Sequence, residues 1–187
     1  MALVLDPERV AFLETAGWRA YYDHRWLDLL RLMLSLNRDQ FRMPPAAATL
    51  AAYYTVQASR AWAPAENEPG RAQYYLSRFY RQARAHSDLA LDPSRAAKLE
   101  LQYWDLARRI DRDIARQDLL RTMTDLHAEV FGISRGAAAQ SAELRVQAIE
   151  LLREITGMCA SNPERNWAEI EERLRRCYGS VGDAIQT

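Results

Sequence analysis

Lysine is nearly missing from this chain: of 25 basic residues, 24 are arginine and only Lys98 is lysine. Such a bias favours exposed charge ladders and planar pairing to carboxylates, and carries no function by itself. Neither sign of charge is in excess, since 25 acidic residues balance the 25 basic ones. There is therefore no overall field to draw in nucleic acid or anionic lipid, and no nucleic-acid partner is expected. Cysteine is scarce too. Cys159 and Cys177 form no CxxC motif and have no paired histidines, so reduced thiols packed as small apolar groups are expected rather than a disulfide or zinc site.

Long hydrophobic runs are absent. No stretch approaches the eighteen or so uncharged apolar residues of a membrane span, and the start, MALVLDPERV, lacks the basic region of a secretion signal. The expectation is a cytoplasmic protein with no membrane association. Glu-x-x-His, the spacing that places two metal ligands on one helix face, does not occur, and neither do a Gly-x-Ser-x-Gly elbow or a Gly-x-x-x-x-Gly-Lys loop. No metal and no cofactor are called for. In DLHAE, His127 and Glu129 stand two apart and point in different directions, so they cannot chelate one ion together.

What is present is helical periodicity. Seven glycines and seven prolines fall almost entirely between long periodic segments, and no convincing β run interrupts them. DPER at 6–9, DPSR at 92–95 and NPER at 162–165 read as helix starts: the Asp or Asn accepts from free backbone amides, and proline is preset for the first helical position. One helix is expected from Pro7 to about Phe41, a second over about 45–62, and a third over about 71–87. A long segment from Asp92 to about Phe131 changes its apolar face partway, which predicts a kink or break near residues 115–118. Leu144, Ala148, Leu151, Ile155 and Met158 form the stripe of the next helix, with Gly157 at a left-handed end. Trp167, Ile170, Leu174, Cys177 and Val181 form the stripe of the last. The chain therefore reads as a single all-α domain over 1–187, a bundle of six or seven helices, its aromatic-rich half 1–91 packed on 92–187.

Eight of nine tyrosines precede residue 104, so a ligand or partner is expected in the first half. On a helix wheel Trp18, Tyr22, Trp26, Leu29, Met33 and Leu36 share one arc, Leu27, Leu30 and Leu34 widen it, and Arg19, Asp23 and Asn37 fall in between. Arg19 and Asp23, four apart, are expected to pair out of bulk water, because either charge buried alone would cost several kcal/mol. A structural ion pair is the simpler reading. The functional one is a cleft of Trp18, Arg19, Tyr22, Asp23, Trp26 and Asn37, continued by Tyr54, Arg60 and Trp62 of the second helix, which holds a small aromatic or anionic ligand. Elsewhere, QYYLSRFYRQAR at 73–84 reads as rings turned inward with arginines in water, and Asp111 and Asp118 as part of a solvated charge ladder. The leading functional expectation is a non-enzymatic module that binds such a ligand or a partner protein. The alternatives are an enzyme with Asp23 as general base beside His24, and a structural homodimer.

Overall fold

The computed structural model describes residues 5–109 and 113–186, the second stretch with side chains from residue 116 on. Among these are eight α-helices and no strand: α1 (Pro7–Tyr22), α2 (Trp26–Phe41), α3 (Pro45–Trp62), α4 (Pro69–His86), α5 (Pro93–Ala107), α6 (Asp113–Phe131), α7 (Arg135–Thr156) and α8 (Pro163–Gln186). Five of the eight begin on proline. Asp6 accepts from the Arg9 amide at 3.1 Å, Asp92 from those of Ser94 and Arg95 at 2.8 and 3.0 Å, and Asn162 from that of Arg165 at 3.1 Å. All three Asp/Asn-Pro stretches start helices as expected.

The helix expected from Pro7 to Phe41 is two helices. Its chain reverses at Asp23-His24-Arg25, where His24 takes a left-handed φ of 55° and the Arg25 amide donates back to the Ala20 carbonyl at 2.8 Å. Neither glycine nor proline marks this corner. A non-glycine residue in that conformation costs about 1 kcal/mol, and the packing of α2 back on α1 sustains it. That contact is close: a Cβ on Gly17 would stand 2.7 Å from the Met33 Cε. The break expected at 115–118 lies earlier, between Ala107 and Asp113. At the end of α7, Gly157 keeps φ at −80° and Met158 is the left-handed residue, 93 % exposed rather than part of the apolar stripe. The α8 stripe of Trp167, Ile170, Leu174, Cys177 and Val181 is buried throughout.

Each helix packs chiefly against its two neighbours in sequence, and α8 closes on α1. Short connections make successive helices antiparallel. An even number of them closes into an up-and-down ring of eight, and the C-termini of α1, α3, α5 and α7 gather at one rim. Among the described residues no helix is long and apolar enough to cross a membrane.

Candidate functional site

The ring encloses a lumen of about 650 Å³ to which all eight helices contribute wall. Its exposed lining residues, Tyr22, His24, Ala65, Arg108 and Thr156, all belong to the rim formed by the odd-numbered helix ends, so the lumen opens there. Phe41 and Phe131, both buried, line it at the C-termini of α2 and α6 and close the other end. This volume lies within the range of small-molecule sites, roughly 300–1,000 Å³.

Halfway down stands a charged cluster. Arg145 of α7 grips Glu14 of α1 through both terminal nitrogens, at 2.5 and 2.8 Å, and Tyr178 of α8 donates its hydroxyl to the same carboxylate at 2.5 Å. The guanidinium lies 5.3 Å from the Trp18 ring and 5.7 Å from that of Tyr103. Burial works against the charge on Arg145, but Glu14 and the phenols of Tyr178 and Tyr103 outweigh it and hold the guanidinium ionised. Burial first, and the Arg145 charge second, push His127 down to about 3, so its imidazole is neutral. The Ser141 hydroxyl donates to the Ala138 carbonyl at 2.9 Å, so at 2.8 Å it accepts from His127 Nδ1. That fixes the proton on Nδ1 and leaves Nε2, with no hydrogen-bond partner among the described residues, as an acceptor. Burial also pushes the Cys177 thiol up to about 12 and leaves it an apolar filler, whereas Cys159 is exposed, contrary to expectation.

The second acid of the lumen is Glu100 of α5. Its carboxylate accepts from the Tyr80 hydroxyl at 3.1 Å and from the Trp104 indole at 3.0 Å. It is half-buried and lines the lumen. Burial raises its proton affinity above the ordinary range, Arg145 and the two hydrogen bonds pull it back down, and Glu14 adds a further push upward. A carboxyl whose folded pKa is raised favours folding below the unfolded value and loses that contribution as pH rises through the folded one. Ionised Glu100 is thus a cost to the fold near neutrality. Glu100→Gln is expected to hold or raise the thermal midpoint at pH 7.5 and to melt with the wild type near pH 4. A midpoint lowered at pH 7.5 would contradict this. Groups that cost stability are found where function selects them.

Of the residues expected in a cleft, Trp18, Tyr22, Asn37 and Trp62 line the lumen, and Arg19, Asp23, Trp26, Tyr54 and Arg60 do not. Arg19 and Asp23 are not partners. Because α1 ends at Tyr22, Asp23 turns into solvent and pairs with Arg25 at 3.2 Å, and α8 brings Glu164 to within 2.9 Å of Arg19, whose guanidinium lies 4.9 Å from the Trp167 ring. Asp23 therefore lacks the shielding that a general base at that position required. Trp26 sits edge-on to Tyr21 at the corner, Tyr54 joins Tyr53 and Tyr75 between α3 and α4, and Arg60 is exposed. Asn37 is 2 % exposed, and its Nδ2 has no partner among the described residues. In the 73–84 stretch Tyr74 turns outward, accepting from Arg78 at 2.9 Å, while Tyr80 turns in. Asp118 pairs with Arg121, and Asp111 lies outside the described residues. Glu14, Glu100, His127, Arg145 and Tyr178 are the lumen groups that sequence reasoning missed.

The rim arginines are occupied by backbone. Arg108 donates to the carbonyls of Trp62, Ala63 and Pro64 while its guanidinium lies 4.5 Å from the Trp62 ring, and Arg153 donates to the Arg108 carbonyl at 2.8 Å. They strap together the ends of α3, α5 and α7. Among the described residues no group of three side chains suited to a metal ion is found. No protein-family model matches the chain, and no curated protein and no solved structure resembles it significantly.

Proposed function

We propose that the protein binds a small, ring-bearing organic molecule inside its helical ring. What supports this reading is the lumen itself: about 650 Å³, open at one rim, walled by indole and phenol rings, and carrying buried polar atoms with no partner among the described residues. Filled cores leave few voids larger than a water molecule, so a lumen of this size departs from ordinary core packing. The surface of the first two helices is not the binding face in this reading; their inward sides are.

The neutral dye N-phenyl-1-naphthylamine tests it. Saturable brightening at one dye per chain is the expected result. Ala107→Trp, which places a ring in the mouth, is expected to weaken binding at least ~10-fold while leaving the thermal transition in place. Absent brightening, or equal brightening by the plugged variant, refutes the reading.

A second reading, self-association, draws on the apolar exposure across α3 and α4, where Leu50, Tyr53 and Tyr74 face solvent. Light scattering decides it: a mass near 21.5 kDa at all concentrations removes it.

A further inference from the structure

Resting on the lumen reading, the balance of charge within the lumen narrows the class of occupant. Arg145 cancels Glu14 through its two-pronged grip, and His127 is neutral. With Glu100 ionised, the groups below the rim sum to one negative charge, while Arg108 and Arg153 stand at the mouth of the same lumen. Among the described residues no basic side chain forms an ion pair with Glu100; its partners are two neutral donors, Tyr80 and Trp104. Around it the wall is aromatic: Tyr103 and Trp104 follow on the same face of α5, and Trp62 lies 6.1 Å from Trp104. Carboxylate and ring faces together are the surroundings in which an organic ammonium is bound, through Coulomb attraction and the negative faces of the rings. At the rim, Arg108 donates to three backbone carbonyls and Arg153 to one, which ties both guanidinium groups to the helix ends, away from Glu100. Deeper in the same lumen, and among the described residues, the Asn37 Nδ2 and the Arg145 Nε have no hydrogen-bond partner and can donate to acceptor atoms of an occupant.

We infer that the ligand is an organic cation with a flat aromatic body and one ammonium group, the ammonium seated on Glu100 and the body between the lumen rings. The Asn37 amide donates to an oxygen or ring nitrogen at the far end of the molecule. In this role Glu100 accounts for its own cost to the fold, since an ammonium would pair directly with a carboxylate whose hydrogen-bond partners are two neutral donors.

Three probes with one indole body separate charge from shape: tryptamine (cationic), 3-methylindole (neutral) and indole-3-acetate (anionic), each competed against N-phenyl-1-naphthylamine. Tryptamine is expected to displace the dye at concentrations at least ~10-fold below those of the other two, consistent with one close charge pair in a shielded site. Glu100→Gln is expected to erase that preference while 3-methylindole competes as before. Glu100→Leu, which also removes the charge, is expected to lose the preference likewise and serves in its place should the glutamine variant fail to fold. Dye binding without a preference for tryptamine, or a preference that survives in Glu100→Gln, overturns the inference and leaves the lumen reading standing. If the dye does not bind at all, both fall.

Discussion

Replacing Arg145 by methionine is expected to lower folding stability by about 3–5 kcal/mol, because it strands Glu14 as a buried charge without its counter-ion. Arg145 reaches across the lumen from α7 to α1 and touches Tyr178 of α8, so the loss falls on the seam where the ring closes. In a chain of this size each kcal/mol moves the thermal midpoint by roughly 2–4 °C, and a drop of about 6–20 °C should be seen by circular dichroism. The double variant Glu14→Leu/Arg145→Met removes both charges and is expected to recover most of that loss, since the pair contributes far less than the breaking of it costs. A single variant that melts within a degree of the wild type would mean that water reaches Glu14. The lumen would then be wetter and its electrostatics weaker than its geometry implies.

Acid should destabilise the protein through His127. With its folded pKa lowered from 6.5 to about 3, the unfolded chain binds the proton more readily, so stability falls as pH drops below 6.5 and levels off near 3. Each pH unit in that window is worth about 1.4 kcal/mol for one such group. Unfolding free energies from urea titrations of the wild type and of His127→Asn, which retains a donor toward Ser141, should therefore diverge between pH 6.5 and pH 5 by about 2 kcal/mol. Glu100 acts in the opposite sense, gaining its proton on folding as pH falls, and cancels in the comparison because both proteins carry it. Parallel free energies across that range would show that His127 protonates in the folded state without penalty.

Helix starts were legible because capping is local chemistry: an Asp or Asn before Pro7, Pro93 or Pro163 works whatever lies across the ring. The corner at His24 was not, because nothing local demands it; α2 folding back on α1 holds the residue in a left-handed conformation that its own preferences oppose. A mid-helix signal existed in Gly17, where Met33 of the returning helix comes too close for a side chain. The buried charges also left a trace. Positions three and four away from Glu14 are Val10, Ala11, Gly17 and Trp18; from Glu100 they are Ala96, Ala97, Tyr103 and Trp104; from Arg145 they are Ser141, Ala142, Ala148 and Ile149. Arg19, by contrast, has Thr15 and Asp23 among its neighbours and lies outside the lumen. A charge whose whole helical neighbourhood is small or apolar is the better sign of burial, since those neighbours occupy its side of the helix.

Periodicity, proline placement and the lack of long apolar runs were enough for the sequence to determine an all-helical chain and where most of its helices begin, because those properties act within one or two turns. Tertiary structure alone decided that the helices close into a ring, and that closure is what brings Glu14, Glu100, Arg145 and Tyr178, from four separate helices, around one lumen. The physical reason is range. A cap or a helical stripe is satisfied by residues three or four apart, whereas a shielded charge finds its partner at separations such as the 131 residues between Glu14 and Arg145.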